Sequence, residues 1–133
     1  MAKYRIKCPT CNEVANLSGS GACPKCGSLI SVDTPAQFRL YRMGSPYGAA
    51  NAFSIYINNT PYGKIGNKES LTFPLPYGDY LIHITCGMNR KCNDPVVRLT
   101  PDNPLACMKV HLKPGFFQNS CILESADPST MPE

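Results

Sequence analysis

Short runs of alternating apolar and polar residues fill the chain from Gln37 onward. Residues that favour turns, such as glycine, proline and asparagine, separate each run from the next. Alternation with a period of two is typical of β-strands that bury one face. The pattern predicts an antiparallel β-sandwich of about seven strands, for which the sequence offers eight candidate runs, at 38–42, 53–57, 62–65, 71–75, 80–86, 96–99, 106–112 and 121–123.

The same alternation assigns the core-facing side chains of these strands. On a strand, residues two apart in sequence lie on one face of the sheet. The expected core sets are Phe53, Ile55 and Ile57; Leu71, Phe73 and Leu75; Tyr80, Ile82, Ile84 and Cys86; and Met108, Val110 and Leu112. A chain of this kind is expected to be all-β.

A Pro-Tyr-Gly triplet recurs every fifteen residues, at 46–48, 61–63 and 76–78. Proline presets φ for the second position of a type I turn, and glycine is favoured at the fourth position. The three triplets therefore predict three turns at similar spacing between strands.

The first 34 residues have the pattern of a separate small unit. Short β-like runs at 4–7, 13–17 and 28–32 are joined by cysteine-containing loops and a Ser-Gly turn. Apolar burial alone does not stabilise so short a unit, which therefore needs a disulfide or a metal. The polar segment 33–36 predicts the boundary. We expect domains at 1–34 and 35–125, followed by a loose tail at 126–133.

Two Cys-Pro-x-Cys pairs supply the chemistry that this unit needs. Cys8 and Cys11 form the first pair, and Cys23 and Cys26 form the second after eleven intervening residues. Each pair closes a tight loop, and four thiolates suit the tetrahedral coordination of a borderline-soft cation. The spacing predicts one metal site with these four cysteines as ligands. Because four protein ligands leave no position for water, the site is expected to be structural.

The segment 1–32 resembles the zinc-ribbon family. Its cysteines Cys8, Cys11, Cys23 and Cys26 match the four metal ligands of that family one for one. The resemblance implies one structural Zn²⁺. The spacer is at the short end for such ribbons, and Asn12 follows the first pair where Gly27 follows the second. These Cys-Pro-x-Cys loops are also similar to those of rubredoxins, which implies iron as the alternative metal. A thiol–disulfide enzyme would need a following helix, which the pattern does not predict.

The other four cysteines, Cys86, Cys92, Cys107 and Cys121, have no paired spacing. Free cysteine is among the most buried residue types, so Cys86 and Cys121 are expected to be small core residues and Cys92 a loop thiol. A second metal site formed by these four cysteines is the alternative.

The sequence contains no recognisable catalytic signature. His83 and His111 fall on the polar side of their strands, and neither accompanies a nucleophile motif, paired carboxylates or a glycine-rich phosphate loop. We therefore expect a protein that is not an enzyme and that has no catalytic or cofactor-binding residues beyond the metal ligands.

Composition and charge limit the partners and the cellular compartment that we expect for the protein. The chain has 133 residues, of which 43% are hydrophobic, and a formal net charge of +4 at pH 7. This weak basic excess gives little reason to infer a nucleic-acid or membrane partner. The start of the chain has no apolar signal segment, and no apolar run approaches the roughly 20 residues of a membrane span. We expect a soluble cytoplasmic protein, in which paired cysteines bind metal and are not oxidised.

The runs 53–65 and 73–84 resemble the small β-sandwich domains of the PEGA type, in which a hairpin is followed by a Pro-x-Gly turn into a core strand. These domains are similar to immunoglobulin-like sandwiches. The resemblance covers about a third of the chain, implies architecture and binding or scaffolding at surfaces, and brings no catalytic residues.

Two compact modules without an active site predict an interaction protein whose partner is another protein. The expected contact surfaces are a ribbon face, an exposed strand edge or the tyrosine-bearing turns. The alternative function is nucleic-acid binding, since Lys3, Arg5, Lys7 and Lys25 make the ribbon basic and Tyr4 offers a ring for stacking. A rubredoxin-like or thiol redox protein is the third possibility.

Overall fold

The structure, a computed structural model, describes residues 3–44, 52–86, 91–113 and 120–130. Its strands are β1 (Tyr4–Lys7), β2 (Val14–Leu17), β3 (Gly21–Ala22), β4 (Leu29–Ile30), β5 (Ala36–Arg42), β6 (Phe53–Ile57), β7 (Thr60–Ile65), β8 (Ser70–Leu75), β9 (Gly78–Cys86), β10 (Lys91–Cys92), β11 (Val96–Leu99), β12 (Leu105–Lys113) and β13 (Ser120–Ser125). A 3-10 turn at Pro128–Thr130 lies in the predicted tail. Within the described ranges, no helix has the length and apolarity required to cross a membrane. The predicted all-β class is confirmed.

Two sheets pack against each other to form the main body. The larger sheet has the strand order β10-β13-β12-β5-β8-β1-β2, and the smaller sheet has the order β11-β9-β6-β7. Strand β5 alternates strictly between buried and half-buried positions, and β6 does the same. This alternation is the one that the sequence predicted, because one face of each strand points into the core.

A single apolar core lies between the two sheets. The larger sheet contributes Phe38, Leu40, Leu71, Phe73, Val110 and Leu123, and the smaller sheet contributes Phe53, Ile55, Ile65, Ile82, Ile84 and Leu99. The ring centroids of Phe38 and Phe73 lie 5.7 Å apart, and Tyr62 meets Phe73 edge-on at 5.9 Å. Each fully buried large apolar side chain stabilises the fold by about 1.5–3 kcal/mol.

The direction of strand pairing departs from the antiparallel expectation in three places. Strands β5 and β12 run parallel over six residue pairs, and β1–β8 and β10–β13 are also parallel. Between β5 and β12 the chain passes through the smaller sheet, and a crossover of this kind permits a parallel pair. Alternation identifies which face of a strand is buried, and it carries no information about which strand lies beside it.

The N-terminal segment shares a sheet with the sandwich although it has a core of its own. Tyr4 on β1 is paired with Thr72 on β8, and the Thr72 N–H donates to the Lys3 carbonyl at 2.8 Å. Cys8, Ala15, Cys23 and Ile30 form a small buried cluster distinct from the main core. Independent folding of residues 1–34 and 35–125 stays a prediction.

Arg5 connects this segment to the smaller sheet. Its side chain is buried on β1, where Nε donates to Asn16 Oδ1 at 2.8 Å. The same guanidinium donates through Nη1 to the backbone carbonyls of Tyr62, at 3.3 Å, and Lys64. Because these carbonyls belong to the edge strand β7, one side chain satisfies backbone groups that have no neighbouring strand on that side.

The predicted turn at 61–63 is wrong, because these residues lie within strand β7 and Tyr62 is buried. The reversal occurs just before them, at Asn58 and Asn59, whose φ values of 50° and 65° are left-handed. Two successive left-handed residues are typical of the tight turns that join hairpin strands. The triplet at 76–78 does contain a bend, and the triplet at 46–48 lies outside the described residues.

Replacing Gly63 with alanine should destabilise the protein by about 1–2 kcal/mol, because Gly63 has a left-handed φ of 81°. An added Cβ would also lie 3.3 Å from Arg5 Nη1 and press on this connection. Chemical denaturation of both variants measures the effect. Gly19→Ala is the control, since an added Cβ there meets nothing within 4 Å. Equal stability of the two variants would show that Gly63 is not constrained.

Candidate metal centre

The first cysteine pair lies in a tight loop between β1 and β2. The Cys8 N–H donates to the Glu13 carbonyl at 2.8 Å, and the Asn12 N–H donates back to the Cys8 carbonyl at 2.9 Å. These two hydrogen bonds close the loop and place the Cys8 and Cys11 side chains on the same side of it. The sequence predicted such a loop from the Cys-x-x-Cys spacing alone.

The second pair repeats this geometry between β3 and β4. The Cys23 N–H donates to the Ser28 carbonyl at 2.7 Å, and the Gly27 N–H donates to the Cys23 carbonyl at 2.9 Å. The residue after each pair is left-handed, with φ of 62° at Asn12 and 80° at Gly27. Asparagine tolerates this conformation better than most residues, so its place in the first loop preserves the geometry.

The two loops bring the four predicted cysteines together. All four Sγ atoms lie within 4.8 Å of one another, and the Cys8–Cys26 and Cys11–Cys23 separations are both 3.7 Å. Four sulfurs at the usual zinc–sulfur distance of about 2.3 Å from a tetrahedral centre are about 3.8 Å apart. A disulfide would need about 2.05 Å, and all four cysteines are free thiols. The arrangement is compatible with a zinc-ribbon-like site.

Backbone amides surround the sulfurs and favour their charged form. Hydrogen bonds from the Cys26 and Lys25 amides lower the pKa of Cys23. Hydrogen bonds from the amide and hydroxyl of Ser28 lower the pKa of Cys26 to about 6. A cation ligated by thiolates gains from this arrangement, because the same donors offset the negative charge of the cluster.

Cys11, in contrast, favours its protonated form when no cation is bound. The Glu13 amide lowers the pKa of Cys11, but burial and hydrogen bonds with the other three cysteines outweigh this effect and raise the pKa to about 12. Four thiolates this close cannot all be charged without a counter-ion. A divalent cation replaces the protons that the cluster otherwise holds, so its binding releases protons.

The centre is buried on the side of Cys8 and Cys23, open to solvent at Cys26 and bordered by an ion pair. Cys8 and Cys23 are 0% and 2% exposed, and only Cys26 of the four is exposed. Lys25 Nζ lies 2.8 Å from Glu13 Oε1, and this contact joins the second loop to the first. The hydrogen bond and charge of Glu13 raise the pKa of Lys25, as do Cys11 and Cys23. The Lys25 ammonium group therefore offsets part of the negative charge that four thiolates carry.

The fold and the four-cysteine cluster define an all-β protein with a candidate metal-binding centre at its N-terminal end. No protein-family model, no curated protein and no solved structure matches the chain. The geometry of the chain's own residues is therefore the basis for inferring its function.

The remaining cysteines lie in the sandwich, largely as predicted. Cys86 and Cys121 are buried in the main core, and Cys107 is also buried. The prediction of a loop thiol at Cys92 is wrong, because Cys92 is half-buried and ends strand β10, where sheet pairing gives no local sequence signal. Across the part of the chain that the structure describes, no three of these four cysteines come within ligand distance of one another.

Most of the basic residues of the N-terminal segment β1–β4 have partners within the protein. Lys3 Nζ lies 3.2 Å from Glu69 Oε2, and Lys25 pairs with Glu13. Arg5 is buried against backbone carbonyls. Three of the four cations that suggested nucleic-acid binding therefore have partners in the fold.

Sequence reasoning missed a contact between His83 and Asp94. His83 Nδ1 lies 2.6 Å from Asp94 Oδ1, and Cys92 Sγ lies beside both groups. Cys92 and Asp94 are two residues apart, but His83 lies on a different strand, and no local motif links it to them. Only the position of β10 beside β9 and β13 brings them together.

Proposed function

We propose that this chain is a non-catalytic zinc-binding protein that recognises an apolar segment of another protein. The observation that carries the proposal is an apolar groove between the N-terminal segment β1–β4 and the sandwich. Leu29, which is exposed, forms part of the wall of this groove. The metal holds one wall of this groove in place. A cytoplasmic location suits the proposal, since eight free thiols persist in a reducing compartment.

The groove has the character of a peptide-binding surface. Its volume is about 470 Å³, and its apolar walls come from both modules, with Ile6, Pro9, Leu29 and Ile30 on the ribbon and Tyr62, Pro74, Leu75 and Pro76 on the sandwich. Leu29 is 84% exposed and Tyr77, the neighbour of Pro76, is 45% exposed. Large exposed apolar side chains that adjoin an apolar groove are typical of protein interaction sites.

Zinc is the proposed metal, with a structural role. Four thiolates fill a tetrahedral coordination shell, so no position is left for a water or a substrate. Iron would also fit four thiolates, and then the protein would be red and would undergo reduction and oxidation. Elemental analysis of the purified protein, together with its visible spectrum, distinguishes the metals. A colourless zinc protein supports the proposal, and an iron protein with visible absorption contradicts it.

Binding through the groove can be tested with a displayed library of random peptides selected on the immobilised, zinc-loaded full chain. We expect the selected peptides to carry apolar anchor residues and to bind the Leu29→Asp variant at least about ten-fold more weakly, which is a loss of about 1.4 kcal/mol. Val96→Asp is the matched control, because Val96 is 56% exposed on β11, outside the groove. Failure to select any peptide, or equal binding to both variants, would contradict the proposal.

The alternative of nucleic-acid binding has weaker support, because Arg5 is buried and Lys3 and Lys25 are each paired with a glutamate. Its electrostatic basis requires lysine and arginine side chains that are available to neutralise phosphates. A filter-binding assay at low salt provides the test. Retention of single-stranded nucleic acid that falls steeply with added salt would favour this alternative over protein recognition.

A further inference from the structure

A second group of potential metal ligands lies on the sandwich, away from the four-cysteine centre. His83 is on β9, Cys92 ends β10, and Asp94 lies in the segment that leads to β11. One imidazole nitrogen, the cysteine Sγ and one carboxylate oxygen all lie within 4.8 Å of one another. Nitrogen, thiolate and carboxylate donors are the three ligand types that zinc takes from proteins.

Asp94 has a left-handed backbone conformation, and its carboxylate contacts His83. Its φ is 46°, in the left-handed region that aspartate and asparagine adopt more readily than most residues other than glycine. The carboxylate receives the short contact of 2.6 Å from His83 Nδ1. Contacts with the neighbouring strand hold this segment in its conformation.

Those contacts come from Asn93, the residue between the two ligands. Its side-chain amide donates to the Leu123 carbonyl at 2.9 Å and accepts from the Leu123 N–H at 2.9 Å. The pair of hydrogen bonds imitates strand pairing and anchors the segment to β13. Cys92 and Asp94 thus lie on either side of Asn93, which is fixed to β13. Because their backbone is already ordered, less conformational entropy is lost when they bind an ion.

His83 is also restrained, since it is paired with Tyr56 on the neighbouring strand β6 and the two ring centroids lie 5.8 Å apart. The backbone N–H groups of Asp94 and Ile84 donate to Cys92 Sγ. Burial raises the pKa of the Cys92 thiol, as do the side-chain hydrogen bond and the charge of Asp94, and these two backbone donors offset the rise only in part. The sulfur therefore has the same kind of amide support as the sulfurs of the ribbon.

We propose that His83, Cys92 and Asp94 form a second binding site for a divalent metal ion of the zinc type, with one coordination position open to solvent. A neutral imidazole, a thiolate and a carboxylate together carry two negative charges, which a divalent cation balances. The side chains of His83 and Asp94 are 27% and 44% exposed, so an ion reaches them from solvent. Three protein ligands and one open position distinguish this site from the closed four-cysteine centre.

Small side-chain movements would bring the three ligand atoms to the separations that a bound zinc ion requires. Zinc–ligand distances of about 2.0–2.3 Å separate neighbouring tetrahedral ligand atoms by about 3.3–3.6 Å. The 2.6 Å contact between His83 and Asp94 would open by less than about 1 Å, and its hydrogen bond would be exchanged for the two metal bonds. Side-chain rotation supplies such a change without moving the anchored backbone.

The test is the zinc stoichiometry of the full chain, measured by equilibrium dialysis and elemental analysis at saturating Zn²⁺ and neutral pH. We expect two zinc ions per chain in the unmodified protein and one in His83→Ala or Asp94→Asn. Cys107→Ala is the control and should keep two, since Cys107 is a buried cysteine outside both clusters. Because both altered side chains are partly exposed, these variants should fold, which circular dichroism can verify.

The Cys23→Ser variant separates the two sites. It should lose the ion of the four-cysteine centre and keep one ion, and Co²⁺ bound to this variant should show the spectrum of a site with one thiolate. One zinc per chain in the unmodified protein, or two in the His83 and Asp94 variants, would overturn the proposal. The loss of the remaining Co²⁺ signal from Cys23→Ser on adding His83→Ala is the result that supports it most strongly.

Discussion

Replacing Cys23 with serine should abolish metal binding at the four-cysteine centre and unfold the segment β1–β4, while the sandwich keeps its cooperative structure. A serine hydroxyl stays protonated at neutral pH and is a poor zinc ligand. The small cluster of Cys8, Ala15, Cys23 and Ile30 buries too little apolar surface to hold this segment alone. Structural zinc sites contribute about 10–16 kcal/mol to folding, so the loss should be nearly complete.

Amide hydrogen exchange resolves this prediction by region. Amides of β1–β4 should exchange freely in Cys23→Ser and in the chelated wild-type protein, whereas those of β5, β8, β9 and β12 should stay protected. Cys107→Ser is the control, since it removes a buried thiol outside the centre. If the sandwich also lost protection, the boundary at 33–36 would be wrong, and the pairing of β1 with β8 would be essential to the whole fold.

Replacing Arg42 with alanine should lower the free energy of unfolding by about 3–5 kcal/mol. The side chain is only 1% exposed, and its guanidinium carbon lies 3.6 Å from the centre of the Phe53 ring. Its Nη1 donates to the Ile65 carbonyl at 3.2 Å. Alanine would leave a cavity, remove the cation–π contact and deprive a buried carbonyl of its donor.

Denaturant unfolding of three variants distinguishes these contributions. Arg98→Ala is the control, because Arg98 is 77% exposed and lies 3.7 Å from Asp79, a surface pair worth less than about 1 kcal/mol. Arg42→Met keeps most of the apolar stem and should fall between the other two. Equal losses for Arg42→Ala and Arg98→Ala would show that the buried guanidinium does not contribute to stability.

Most strands could be predicted from the sequence because they carry their own signal, but the two-residue strands β3 and β10 were missed. Alternation along β6 and β9 marks the buried face wherever one side of a sheet is covered, and turn residues delimit the runs. The order and direction of the strands have no such local signal. The crossover that makes β5 and β12 parallel depends on which surfaces pack together, as does the pairing of β1 with β8.

The four-cysteine cluster could be predicted for the same reason, since each loop is complete within six residues, Cys8 to Glu13 and Cys23 to Ser28. Arg5 is a different case. Nothing in its neighbourhood distinguishes it from the lysines on either side, yet it is buried against carbonyls almost sixty residues away. The contact between His83 and Asp94 was likewise hidden, because sheet pairing and not sequence spacing brings these residues together.

The most direct test of the metal centre is X-ray absorption at the zinc edge, measured on the His83→Ala chain loaded with one equivalent of Zn²⁺. This variant leaves all four cysteines of the centre unchanged. We expect a first shell of four sulfur atoms at about 2.3 Å and no nitrogen or oxygen ligand. A first shell that contains nitrogen or oxygen, or a chain that binds no zinc, would contradict a closed centre formed by Cys8, Cys11, Cys23 and Cys26.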